Sequence, residues 1–223
     1  MRSNRNAVRV GGTWLAIASA LIIAVLALHG PIAPDHAVQM TRIADRATVW
    51  RVAHWMAAAA FSLYAVAGLI LLNSETRLTD AWWTMTAWAV LPVGALWTLT
   101  TAVAEATVVA SAAVSGNSEV YEAWWAFAEG KANGFAIMAL AIAAIAGNDA
   151  RSVERVTPTW SALIAMVAAV ASFFGWALGM WFGIGLGGLL WVASSILMSA
   201  WFVWFGVAIS QATPMRGADA HAD

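Results

Sequence analysis

Long apolar runs separated by short polar connections make up most of this 223-residue chain. A helix that crosses the hydrocarbon core of a membrane needs about 20 predominantly apolar residues. Five runs reach or approach that length, and they cover residues 11–28, 52–72, 82–104, 160–182 and 186–209. The hydrophobic pattern therefore predicts five membrane-spanning helices before any other feature is considered.

One more span is predicted between the third and fourth of these runs, on a less regular pattern. It brings the total to six and is the fourth span in chain order, so the last two runs are the fifth and sixth spans. The apolar run 134–146 is too short by itself, and its extension back to Ala123 takes in Glu129, Lys131 and Asn133. Either these polar residues lie inside the membrane, or the helix enters the lipid after them and its first turns stand in the interface. Both arrangements give the same fold class, an all-α bundle of six transmembrane helices.

Arginines are distributed unevenly between the two sides of such a bundle. Cytoplasmic loops of membrane proteins carry an excess of Lys and Arg, so the richer side is predicted to be cytoplasmic. Both termini are then inside, with residues 1–212 forming one domain and 213–223 a flexible tail. The first run lacks a convincing small-residue cleavage motif, which favours a retained helix over a signal peptide. The inner set is Arg2, Arg5, Arg9, Arg77, Arg151, Arg155 and Arg216, and the outer set is Arg42, Arg46 and Arg51.

The connection between the first two spans has a weaker pattern of its own. Within residues 37–48, the apolar Val38 and Ile43 are interleaved with the charged Arg42 and Asp45. This arrangement predicts a short amphipathic helix that lies on the outer membrane surface.

Composition agrees with a membrane location. Hydrophobic residues make up 62% of the chain and charged residues 10%, whereas soluble domains have about 45–50% and 25%. The net charge of −1 and the lack of a Lys/Arg cluster give no electrostatic footprint for nucleic acid. The absence of cysteine excludes disulfides, thiolate metal sites and covalent haem attachment. We therefore expect a multi-pass protein of a prokaryotic plasma membrane, with the lipid bilayer as its first partner.

The chain is also rich in tryptophan, with 15 in total. Tryptophans near the ends of predicted spans fit an aromatic belt, because the indole ring is apolar and its N–H favours the wet headgroup layer. A tryptophan-lined ligand pocket is the alternative. The predicted belt consists of Trp14, Trp50, Trp55, Trp82, Trp83, Trp124, Trp125, Trp160 and Trp181.

Ionisable residues collect at the predicted outer ends of the first four spans. Such residues are costly at membrane depth and therefore mark candidate functional sites. Helical periodicity arranges the polar residues of three spans into stripes. These stripes are Glu122, Glu129 and Asn133 on the fourth span, Gly94, Thr98, Thr101 and Glu105 on the third, and Arg51 and His54 on the second.

The candidate polar site is accordingly Arg51, His54, Glu105, Glu122, Glu129 and Asn133. Structural alternatives exist for its members. Arg51 has a side chain long enough to reach headgroups, and His54 has the alternative of a packing role. Thr98 and Thr101 have the option of bonding their own helix backbone. An ion pair from Glu129 or Glu105 to Arg51 is a further structural outcome.

Metal or haem binding at this cluster is a separate hypothesis. His and carboxylate side chains suit Zn²⁺, Fe or Mn, but the Glu-x-x-His pairs of a di-iron bundle do not occur in the sequence. Haem b requires histidines that face each other within the membrane, and His54 is well inside a span whereas His29 is at an edge. The cofactor therefore stays open.

Glycines recur every four residues at Gly175, Gly179 and Gly183 of the fifth span. Small residues at this spacing let two membrane helices approach closely. They predict a tight hairpin of the fifth and sixth spans, which packs either on the other helices or on another subunit of an oligomer.

Three functions from different classes follow from these features. A non-catalytic membrane subunit or scaffold is favoured, because few polar residues lie near the centre of the spans. A proton- or cation-linked transporter would use Glu129, Glu105 and His54. A membrane enzyme would hold a metal or haem at the outer cluster.

Overall fold

The computed structural model describes residues 2–30, 32–33, 35–74, 76–128 and 134–211, and every regular element within these ranges is helical. The predicted all-α class is confirmed. The helices are α1 (Arg2–His29), α2 (His36–Asp45), α3 (Ala47–Leu72), α4 (Trp82–Ala104), α5 (Ala110–Ser115), α6 (Ser118–Ala128), α7 (Phe135–Arg151), α8 (Thr159–Trp176) and α9 (Gly185–Gln211). A short 3₁₀ turn, Arg77–Thr79, precedes α4.

Five helical segments are long and apolar enough to cross a membrane: Asn6–His29, Ala47–Leu72, Trp82–Ser115, Thr159–Trp181 and Gly185–Gln211. They indicate an integral membrane protein and coincide with the five long apolar runs. The third segment exceeds its predicted end, because α4 continues through a π-helical turn at Glu105–Val109 into α5. Gly116 ends α5 with a left-handed backbone (φ +71°), which glycine adopts without steric cost.

The fourth span in chain order is described in two parts. Helix α6 covers Ser118–Ala128 and α7 covers Phe135–Arg151, and residues 129–133 between them lie outside the described residues. Helix α7 gains length at its other end by continuing past the polar Asn148 to Arg151. This continuation is stable because the buried Asp149 carboxylate accepts hydrogen bonds from the N–H groups of the following connection.

Six helices form a closed ring in which neighbours along the chain are neighbours in space. Contacts join α1 to α3, α3 to α4, α4 to α7, α7 to α8 and α8 to α9, and α9 closes on α1. The closing seam is tight, since a Cβ atom built on Gly12 would lie 2.6 Å from the Gly206 carbonyl oxygen. The α8–α9 hairpin therefore packs on α7 and α1 within the same chain.

The α2, α5 and α6 helices form a small cap over one end of the ring, which we call the His29 end. A second apolar cluster, distinct from the main core, holds this cap together. Helix α2 corresponds to the predicted amphipathic helix. Its N-cap is Asp35, whose side chain accepts a hydrogen bond from Val38 N–H at 2.9 Å. The cap cluster buries Ile43, Trp50, Val109, Ala110, Ala112, Ala113, Tyr121 and Trp125.

The opposite half of the ring is filled by aromatic side chains. Tyr64, Trp88, Phe202 and Phe205 are all buried. The ring centroids of Tyr64 and Phe202 are 6.1 Å apart, and those of Trp88 and Phe205 are 6.4 Å apart. The interior is therefore packed in the half that holds the start of α1 and the end of α9, whereas a cavity remains in the half near the cap.

Candidate ligand-binding cavity

A cavity of about 100 Å³ lies inside the ring at the His29 end, and each of the six ring helices contributes to its wall. Most of the lining is apolar, so the polar groups in it stand out. Its lining residues are Ile22, Val25, Leu26, His29, Ile32, His54, Ala57, Phe61, Thr98, Thr101, Ala102, Glu105, Trp125, Phe135, Trp176, Met180 and Trp191.

Two histidines from adjacent helices make one side of the cavity, the histidine side. His29 ends α1 and His54 lies two turns into α3, and their ring centroids are 5.1 Å apart in an edge-to-face contact. His29 Nδ1 lies 2.9 Å from the Gly30 carbonyl oxygen, and His54 Nδ1 lies 2.8 Å from the Trp50 carbonyl oxygen. A carbonyl only accepts, so each Nδ1 carries the proton and donates. In the neutral imidazole each Nε2 is then a lone-pair acceptor.

Two tryptophans on the α8–α9 hairpin make the facing side, the indole side. Trp176 and Trp191 have ring centroids 5.0 Å apart, and Phe135 of α7 packs edge-on against Trp191 at 5.5 Å. The Trp176 and Trp191 Nε1 atoms are buried and have no hydrogen-bond partner among the described residues. In ring order α8 lies opposite α3, and Trp176 and His54 both line the cavity.

The cap adds a third donor of the same kind. Trp125 of α6 is 1% exposed, stacks on Tyr121 at 5.5 Å between ring centroids, and lines the cavity. Its Nε1 is also buried without a partner in the described part of the chain. Each of these three indole nitrogens is inaccessible to a water molecule, so the tryptophans contribute to the cavity wall through their rings and not through an accessible N–H.

Helix α4 supplies the remaining polar wall. The Thr98 and Thr101 hydroxyls donate to the carbonyls of Gly94 and Thr98 at 2.8 and 2.7 Å, which is the backbone-bonding alternative foreseen for them. Glu105 is 8% exposed and starts the π-helical turn. Met180 belongs to a second π-helical turn, Ala177–Trp181. Such turns are frequent at functional sites, and here both flank the cavity.

The predicted polar site is divided by the structure. His54 and Glu105 line the cavity together, whereas Arg51 donates to the Ser111 hydroxyl at 3.4 Å on the surface. Glu122 pairs with His36 at 2.8 Å, and both side chains are exposed. Glu129, Lys131 and Asn133 lie outside the described residues. Of the polar stripe expected along the fourth span, Glu122 alone lies within the described residues, and it belongs to α6.

The expected tryptophan belt requires a similar correction. Trp55, Trp82 and Trp160 are exposed, as belt residues should be, but Trp50 and Trp125 are buried beneath the cap. The pocket-lining alternative therefore applies to part of the set. Trp176 and Trp191 were not singled out by sequence, although they stand seven and eight residues on either side of Gly183. A hairpin centred on that glycine brings them together, and this spacing was the available signal.

The three glycines spaced four residues apart, Gly175, Gly179 and Gly183, also have different roles. A Cβ atom on Gly175 would lie 2.5 Å from the Trp191 backbone nitrogen, and one on Gly179 would lie 3.1 Å from the Gly188 nitrogen. These two glycines therefore let α8 and α9 touch. Gly183 differs from the expectation: it has φ +68° and open space where its Cβ would be, so it serves the turn and not the helix contact.

The described residues around the cavity form neither a metal site nor a haem site. Among the described residues, no group of three His, Asp or Glu side chains comes together as a metal site. The contact between the His29 and His54 rings leaves no room for a flat macrocycle between them, and a cavity of about 100 Å³ is far smaller than a porphyrin. The residues present do not fit haem in this arrangement.

A surface cleft adjoins the cavity and shares His29 with it. The cleft has a volume of about 340 Å³ and is lined by Arg42, Asp45, Arg46 and Trp50, among others. Trp50 contacts the rings of both cavity histidines, with centroid distances of 4.6 Å to His29 and 4.4 Å to His54. His29 and Trp50 thus lie between the cavity and this cleft.

Comparison with models of protein families, with characterised proteins and with solved structures finds no match to this chain.

Proposed function

We propose that this chain is a non-catalytic membrane protein whose helical ring binds a small, mainly apolar molecule. Six helices cross the bilayer in this proposal: the five long apolar segments and α7. Helix α7 has 17 residues and rises about 25 Å at 1.5 Å per residue, a little less than the hydrocarbon core of about 30 Å. Both termini are cytoplasmic, as the arginine distribution favours.

The cavity itself carries the proposal, because each of the six ring helices contributes to its wall and most of that wall is apolar. An apolar wall with a few polar groups, here His29, His54 and Glu105, favours a ligand that is mainly hydrophobic.

Transport receives less support from the same geometry. A translocation path requires polar groups or space along the whole ring interior, whereas the half opposite the cap is filled by Tyr64, Trp88, Phe202 and Phe205. The cavity lies at one end only. The subunit role expected from the sequence is compatible with a bound small molecule, and the exposed aromatic faces of α8 and α9 are available to lipid or to a neighbouring membrane subunit.

The test uses 4-fluoroanisole as probe, because it is a single apolar ring with one acceptor oxygen and no donor. Binding to the purified protein in detergent is followed by ¹⁹F NMR. Ala57 lines the cavity, so Ala57→Leu places three additional carbons in it. We expect the bound ¹⁹F signal to be lost in this variant while the thermal stability stays equal or increases, since filling a cavity commonly stabilises.

Ala59→Leu is the matched control, because Ala59 is exposed on the same helix. It adds the same carbons to the lipid-facing side and should leave the bound signal intact. A probe signal that is equal in wild type and in Ala57→Leu would reflect partition into the micelle and would contradict the proposal.

A further inference from the structure

The surface cleft of about 340 Å³ lies where two apolar segments that are able to span a membrane end. The segment Asn6–His29 ends at His29, and the segment Ala47–Leu72 begins directly after Arg46. Both of these residues line the cleft. The ends of membrane spans lie at the depth of the lipid headgroups, so the cleft is at headgroup depth whichever side of the membrane it is on.

Two arginines give the cleft its positive charge. Arg42 lies in the last turn of α2, Arg46 lies four residues later at the junction of α2 and α3, and both line the cleft. Both are exposed, and neither guanidinium forms an ion pair or a hydrogen bond with another described residue. A guanidinium is always charged, and its planar fork of N–H groups matches the oxygens of a phosphate.

One acid in the same lining opposes the arginines. Asp45 is also exposed, and its carboxylate is not ion-paired with either arginine or with any other cation in the described part of the chain. The described lining therefore presents two positive charges against one negative charge. This excess favours an anion with a single negative charge, such as a phosphodiester.

Apolar side chains extend the cleft toward the lipid. Leu28, in the last turn of α1, lines the cleft and is 40% exposed, and Val49 of α3 lines it as well. Val52, one turn further along the same side of α3, is 50% exposed. A small soluble phosphate would leave these apolar surfaces uncovered, whereas the acyl chain of a phospholipid covers them.

The wall that carries the arginines is fixed by contacts on its other side. The Gln39 side-chain oxygen accepts a hydrogen bond from Ala33 N–H at 2.7 Å, which ties α2 to the connection before it. Ile43, next to Arg42, is fully buried in the cap cluster. Helix α2 is therefore held in place without a ligand, which lowers the ordering cost of binding.

We propose that this cleft binds a phospholipid by its headgroup. The phosphodiester lies between Arg42 and Arg46, and an acyl chain follows Leu28 and Val52 into the bilayer. The site is distinct from the cavity and rests only on the membrane location of the chain, so its test is independent of any cavity ligand.

Native mass spectrometry of the purified full chain, released from an uncharged detergent, tests this site with dioctanoylphosphatidylglycerol. The apparent Kd of the first bound lipid is compared between wild type, Arg42→Gln and Arg46→Gln. Each arginine near an anionic headgroup is worth roughly a 5-fold change in affinity, so each variant should bind roughly 5-fold more weakly. Asp45→Asn should bind more tightly than wild type, because it removes the opposing charge; weaker binding by this variant would contradict an anion at this place.

Arg51→Gln is the matched control. Arg51 has the same charge and lies in the first turns of α3, but it donates to the Ser111 hydroxyl and does not line the cleft. Its Kd should equal that of wild type. An equal loss of affinity in Arg51→Gln and in the two cleft variants would indicate a general effect of charge and would overturn the assignment.

Two fragments of the same lipid distinguish a lipid from a soluble ligand. Glycerophosphoglycerol has the phosphodiester without acyl chains, and dioctanoylglycerol has the chains without the phosphodiester. Both should bind more weakly than the whole lipid. Glycerophosphoglycerol that binds as tightly as the lipid would assign the cleft to a soluble phosphate, and dioctanoylglycerol that binds as tightly would remove the role of the arginines; either result would overturn the headgroup site.

Discussion

Gly187 and Gly188 are adjacent in the first turn of α9, and one added methyl group should have opposite effects at the two positions. A Cβ atom on Gly187 would lie 2.8 Å from both the Gly175 carbonyl oxygen and the Leu178 carbonyl carbon, and would also meet the Gly179 nitrogen. These are backbone atoms, which cannot rotate away as a side chain can. A Cβ atom on Gly188 meets nothing within 4 Å.

The magnitude follows from these distances. In Gly187→Ala, α9 must move until the shortest of these contacts, the one with the Gly179 nitrogen, reaches the 3.4 Å at which ordinary contact begins. Overpacking of this kind costs about 1–3 kcal/mol, and at roughly 2–4 °C per kcal/mol the melting temperature should fall by several degrees. Gly188→Ala should instead gain up to about 0.5–1 kcal/mol, because alanine loses less backbone entropy in a helix.

Thermal unfolding of the two variants in the same detergent, followed by circular dichroism, checks the prediction. The same experiment in lipid nanodiscs shows whether detergent loosens the hairpin. Equal shifts of the two melting temperatures, or a stabilised Gly187→Ala, would refute the account of the α8–α9 seam, because the two positions share helix, turn and residue type.

Further predictions concern the loop after α7, the topology and a hydrogen bond between helices. Asp149→Asn should lower the free energy of unfolding by about 1.5–3 kcal/mol, the size of hydrogen bonds to charged groups, because the buried carboxylate accepts two backbone N–H bonds. The control Glu154→Gln, at an exposed position, should change the free energy of unfolding by less than about 1 kcal/mol. The chain has no cysteine, so Ser118→Cys should label from outside intact cells and Val153→Cys only after permeabilisation, and the reverse pattern contradicts the orientation. Ser195→Ala removes a bond of 2.9 Å between the hydroxyls of α8 and α9, and its unfolding free energy should fall by about 0.6 kcal/mol, the average for such bonds in membranes.

The positions of the long helices were readable from the sequence because the bilayer sets a simple requirement. A stretch that crosses it must be apolar over its whole length and must satisfy its backbone internally. The five runs reached or approached the required length by composition alone. Helix α7 was harder, because its extension depends on the bonds made by Asp149 with a connection several residues away, and no local pattern encodes such a contact.

The polar site was partly predictable for the same reason. His54 and Glu105 stand out as ionisable residues next to apolar runs, and both line the cavity. Glu122 looked equivalent by spacing, but it lies on α6, where it pairs with His36 at the surface. Spacing along one helix does not reveal a partner such as His36, which comes from a distant part of the sequence.

The tryptophans show which properties of this protein follow from its composition and which depend on contacts between residues far apart in sequence. Composition alone determined that this is an all-helical membrane protein with aromatic side chains at its interfaces. Only the tertiary structure decided which tryptophans face lipid and which face inward, because Trp50 and Trp125 become buried through the cap, and Trp176 meets Trp191 through the turn at Gly183. An indole suits the interface and the interior about equally well, so its place is fixed by the closure of the helix ring, which depends on contacts between residues far apart in sequence.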